Sequence, residues 1–148
     1  MDLDDLAQFR SLDPQDMIGQ IYTLPEQLAE AWDIGMYLPL PNMDGLKNVV
    51  ISGMGGSAIG ADLLAAYAAP LCSVPIVVYR DYGLPAWVRG PENLVIVSSH
   101  SGNTEETLGV FEQARSKGCR VLVITTGGKL AELAQAGEVP LWRFSHTG

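Results

Sequence analysis

A three-layer αβα sandwich around a five-stranded parallel sheet, flavodoxin-like in type, is the fold predicted for residues 47–148, with a helical segment over residues 1–46 ahead of it. Three observations predict it. Short apolar runs rich in β-branched residues recur without polar alternation, as expected of strands covered on both faces. Segments with helical spacing separate those runs. Crossovers between parallel strands are right-handed, which prunes the topologies and favours the strand order 2-1-3-4-5.

In the leading segment, Asp13 followed by Pro14 predicts a helix opening, with Asp as cap and Pro in the first turn. Met17, Ile18 and Ile21 then share a face up to Tyr22. Pro25 opens a second helix carrying Leu28, Ala31, Trp32 and Gly35 at helical spacing. The Pro/Asn/Gly-rich stretch 38–45 is a connector. The predicted strands are 49–51, 74–79, 94–97, 121–124 and 139–142. The predicted helices between them are 57–69, 103–117 and 129–136, the last ended by Gly137, with 83–91 as a loop or one short helix.

Composition narrows the function. A chain of 148 residues, 47% hydrophobic and 18% charged, is a globular domain of ordinary size rather than a disordered one. No apolar run approaches the roughly 20 residues that cross a membrane. The acidic start, Met1-Asp-Leu-Asp-Asp5, lacks the basic region of a secretory signal, so a cytoplasmic protein with no membrane partner is expected. A net charge of −8 with nine Lys and Arg disfavours nucleic acid. Cys72 and Cys119 show no metal-ligand spacing and read as buried free thiols.

The turns after the first and third strands carry the chemistry. In Gly53-Met-Gly55-Gly56-Ser57, glycines let a ligand approach the backbone, and the free N–H groups of the helix that follows favour an anion. After the third strand, Ser99, Ser101 and Thr104 present hydroxyls around Gly102. The predicted strand order places both turns at the switch point of the sheet, where α/β proteins bind ligands. Together the turns suit a phosphomonoester on a small metabolite, held without Lys or Arg. The lysine of a nucleotide P-loop is missing. Turn and cap chemistry is the structural alternative for each serine, and most open for Thr104. Glu105 and Glu106 read as dipole-matching residues, with Glu106 able to complete a capping box from Asn103. His100 and Lys129 are either rim contacts or ordinary loop and helix-start residues. Trp32, Trp87 and Trp142 read as packing residues, and His146 carries no signal.

The stretches "GMGGSAIGADLL", "SSHSGNTEETL" and "ITTGGKL" resemble the first sugar isomerase (SIS) domain of bifunctional phosphoglucose/phosphomannose isomerases. The resemblance runs from about Val49 to the chain end and includes the helical preface. It implies that Gly55, Gly56, Ser57, Ser99, Ser101 and Thr104 bind a sugar phosphate, and that the family protein is a homodimer needing no cofactor or metal. His100 departs from the family's usual tyrosine. Family members carry two SIS domains, and the glutamate base and the ring-opening histidine and lysine belong to the second. No catalytic residue is therefore expected within these 148 residues.

Two other classes compete. Gly53-x-Gly55-x-x-Ala58 meets a permissive dinucleotide fingerprint, with Arg80-Asp81 where a ribose contact would fall. A non-catalytic sugar-phosphate sensor is the other, although the acidic leading segment does not look like a DNA-binding helix pair.

Overall fold

The computed structural model describes residues 11–145; the acidic residues 1–5 and His146 lie outside them. The chain divides after Leu38 into two compact units.

The first unit contains α1 (Met17–Tyr22) and α2 (Leu24–Gly35). The expected opening at Pro14 is displaced. Asp16 takes φ 50°, ψ 44°, so the helix starts only at Met17. Asp13 still caps it from outside, its two carboxylate oxygens accepting the N–H groups of Met17 (2.8 Å) and Ile18 (2.9 Å). In α2, Pro25 occupies the first turn, where its missing N–H costs nothing.

The second unit is the predicted sandwich. Its elements are β1 (Asn48–Ser52), α3 (Gly56–Ala68), β2 (Ile76–Tyr79), β3 (Asn93–Ser99), α4 (Glu105–Ser116), β4 (Arg120–Thr125), α5 (Gly128–Ala136) and β5 (Leu141–Arg143). The five strands are all parallel in the order β2-β1-β3-β4-β5.

The two faces of the sheet are filled differently. Val50, Val95, Val97, Val121 and Val123 pack with Val110, Phe111 and Ala114 of α4 and Leu130 and Ala134 of α5. The 80–92 segment belongs to this face. It forms a loop without a helix, and Leu84 and Val88 drop into the core from it. The Gln113 side chain accepts the N–H of Leu84 at 3.0 Å and holds the loop to α4. On the opposite face α3 buries only Ala58 and Ala61, and leaves Ile59, Leu63, Leu64 and Tyr67 exposed.

Several local expectations need correction. Strand β5 begins two residues late, at Leu141: Pro140 has no N–H to give the ladder, and its carbonyl accepts the N–H of Val123 as the first bond of the pairing. Cys72 is exposed, lying in the turn beyond α3. Cys119 is half-buried against the core, and that burial pushes its thiol above the usual range. Trp32 and Trp87 are exposed rather than packed. Trp142 is half-buried, and its indole N–H donates to the carbonyl of Pro39 at 2.7 Å.

Candidate functional site

β1 and β3 are hydrogen-bonded neighbours with Ser52 opposite Val97, so the turns that follow them leave the sheet side by side. A Cβ placed on Gly53 would lie 3.2 Å from both the Ser57 Cβ and the Ser98 carbonyl oxygen. The start of α3 and the end of β3 are thus in near contact, as the switch-point argument requires.

Beside this junction lies an open cleft of about 620 Å³, on the face that α3 covers. Ile51, Ile96 and Ile124 form its floor, Gly60, Ala61 and Leu64 its α3 wall, and Phe144 its far side. Gly56, Ser57, Ser98 and His100 supply its polar edge. His100 meets the Phe144 ring edge-on, with centroids 6.0 Å apart.

Of the residues singled out by sequence, Gly56, Ser57 and His100 reach the cleft. Gly55 sits just outside it as the cap of α3, with φ 53°, ψ −125°, and is exposed. Ser57 is the second residue of α3, inside the Gly55 cap, and stands on the polar edge of the cleft.

Ser99, Ser101 and Thr104 belong to a different arrangement. Ser99 is buried. Its Oγ lies 3.0 Å from the Thr104 hydroxyl and accepts the N–H of Gly102 at 3.2 Å. Ser101 is exposed, and its Oγ accepts the N–H of Asn103 at 3.2 Å. The three hydroxyls therefore gather at the entrance to α4, whose first-turn N–H groups point the same way.

Ser98 is the polar residue that the sequence reading missed. Strand parity could have found it. Val95 and Val97 point into the α4 core and carry Ser99 with them, whereas Ile96 and Ser98 alternate onto the cleft face.

Glu105 and Glu106 stand in the first turn of α4 without a capping box; Thr104, not Asn103, is the cap residue. Both acids act on Tyr82 and hold its phenol above the usual range. They thus face the 80–92 loop.

The turn after β4 braces the turn after β3. Thr126 donates its N–H (3.2 Å) and its hydroxyl (2.7 Å) to the carbonyl of His100. The N–H of Leu130 reaches the carbonyl of Gly102 at 2.9 Å. Asn103 accepts the N–H of Lys129 at 3.1 Å and donates to the carbonyl of Ser101 at 3.1 Å. Gly102 and Gly128 take φ 67° and 69°. A Cβ on Gly102 would collide with the Gly127 carbonyl, and one on Gly128 with the Ser101 carbonyl. Lys129 meets this brace through its backbone; its side chain is exposed.

Arg80 is tied to α3, paired with the Asp62 carboxylate and donating to the Ala58 carbonyl at 3.4 Å. The basic residue of the dinucleotide reading is thereby engaged in joining β2 to a helix. Among the described residues no group of His, Cys, Asp and Glu is arranged to hold a metal ion.

No family model matches the chain. It is 47% identical over 120 residues to a bifunctional phosphoglucose/phosphomannose isomerase of Caldicellulosiruptor bescii, covering 80% of this chain and 35% of that protein. It is 45% identical over 87 residues to the protein of the same name from Thermoplasma acidophilum, covering 59% of this chain and 27% of that one. The chain spans about a third of the length of the curated relatives it matches. Among solved structures, tagatose-6-phosphate ketose/aldose isomerase from Escherichia coli superposes with a TM-score of 0.51 at 20% identity, over 86% of this chain and 35% of that one. At such identity the likeness establishes the fold, which is that of SIS domains.

Proposed function

We propose, taking as premise the chain's homology to the bifunctional phosphoglucose/phosphomannose isomerases, that it is the phosphosugar-holding first SIS domain of such an enzyme. The whole protein would interconvert glucose 6-phosphate and mannose 6-phosphate with fructose 6-phosphate, as a cytoplasmic homodimer. The observation that carries this reading is the 47% identity: a match over 80% of the chain necessarily includes both candidate turns.

Gly55, Gly56 and Ser57 on one side, and Ser99, Ser101 and Thr104 on the other, are assigned to the phosphate. His100 and Lys129 are assigned to the rim. N–H and O–H donors at two helix starts can hold a dianion in an otherwise acidic chain, because the attraction is local and needs no long-range field.

Anchoring the phosphate lends remote binding energy to positioning the reacting carbons. The opened sugar then loses its C2 proton to a base, passes through a cis-enediolate and is reprotonated at C1. This is proton transfer, and no metal or redox cofactor is proposed for it. Such a base needs a carboxylate within hydrogen-bonding reach of C2, and that role is assigned to the second SIS domain that the resemblance implies.

Titration calorimetry of the chain with fructose 6-phosphate tests the reading. Saturable binding, displaced by inorganic phosphate and unaffected by a nicotinamide dinucleotide, is expected. Binding of the dinucleotide without binding of the sugar phosphate would reverse the assignment. Isomerisation at ordinary enzymatic rates by this chain alone would refute the division of labour.

A further inference from the structure

An anion site needs donors facing inward and acceptors facing away, because an exposed carbonyl repels the charge that the N–H groups attract. The turn after β3 meets this demand with help from elsewhere in the chain. Three successive carbonyls, those of His100, Ser101 and Gly102, are each occupied by a donor: Thr126, the Asn103 side chain and the Leu130 N–H respectively. Thr126 and Leu130 follow β4, which pairs with one edge of β3, whereas the glycine-rich turn follows β1 on the other edge. The carbonyls of residues 100 and 102 are thus drawn toward β4, away from the neighbouring glycine-rich turn.

We infer that Thr126 and Asn103 are positioning residues for phosphate binding. They hold the carbonyls of His100 and Ser101 turned away, so that these two oxygens do not oppose the ligand's charge. This rests on the phosphosugar reading above and adds a role for the turn after β4, whose side chains need not touch the ligand. The Thr126 hydroxyl is the sharper of the two, because its 2.7 Å bond to the His100 carbonyl duplicates one already made by its own N–H at 3.2 Å.

The test is calorimetric titration with fructose 6-phosphate, well below the melting temperature of every variant. Thr126→Val keeps the shape and removes the hydroxyl; Thr126→Ser keeps the hydroxyl and removes a methyl. If the hydroxyl positions the turn, Val weakens binding roughly fivefold and Ser binds as the parent does. A residue that only packed would give the reverse order. Asn103→Ala, which frees the Ser101 carbonyl, is expected to weaken binding roughly tenfold. Parent-like affinity in Thr126→Val, or equal losses in Val and Ser, overturns the inference while leaving the phosphosugar reading intact. Failure of the parent chain to bind fructose 6-phosphate overturns that reading, and this inference with it.

Discussion

The turns after β1 and β3 leave neighbouring strands and open helices of 13 and 12 residues, yet they are built in opposite ways. The first is open. Space surrounds Gly55 and Gly56, and Ser57 stands on the edge of the cleft. The second is closed. Its serine and threonine hydroxyls bond within the turn, and its carbonyls bond to residues 126 and 130 of the next connection. One turn leaves room for a ligand, while the other provides a fixed frame against which a ligand can be placed. Under the proposed function, a site made from one open and one closed half keeps its geometry and can still admit a sugar.

That contrast is open to attack by matched substitutions, read as unfolding free energies in urea. Gly102→Ala should be the most damaging, costing about 3 kcal/mol or more, since it adds positive-φ strain to a collision with a backbone oxygen. Gly55→Ala meets no neighbour and carries only the backbone strain of φ 53°, so about 2 kcal/mol is expected. If the two glycines cost the same, the closed turn is not closed. Ser99→Ala removes the acceptor for the buried Gly102 N–H and should cost about 1 kcal/mol. Ser57→Ala should change stability by less than about 0.5 kcal/mol. Under the proposed function, it should nonetheless weaken fructose 6-phosphate binding in calorimetry; a stability loss as large as that of Ser99→Ala would make Ser57 a cap rather than a ligand contact.

The sheet was legible because its strands are nearly unbroken apolar runs; right-handed crossovers pruned the topologies, and the flavodoxin-like order 2-1-3-4-5 expected among those left is the one observed. Helix ends were legible to within a residue or two. The late start of α1 was not, because it depends on Asp16 adopting a left-handed conformation that Asp only sometimes takes. Position in the chain identified the two turns, but not which hydroxyl faces which way. Ser98 and Ser99 are adjacent and chemically alike, and only the parity of the strand assigns one to the cleft and the other to the turn. The brace from Thr126 to His100 spans 26 residues and joins two backbone segments, so no local pattern announces it. The exposure of Cys72 was equally hidden, since it depends on how far the turn beyond α3 stands from the sheet.

Surface connections ordinarily tolerate changes of length. The turns at 99–104 and 125–130 do not have that freedom, because the carbonyls of His100 and Gly102 are matched to Thr126 and Leu130, and the Asn103 side chain to the N–H of Lys129. Adding or deleting a residue in either would shift this register by one and unmatch the whole set. Length variation among homologues should therefore be absent from both loops, or appear in both together.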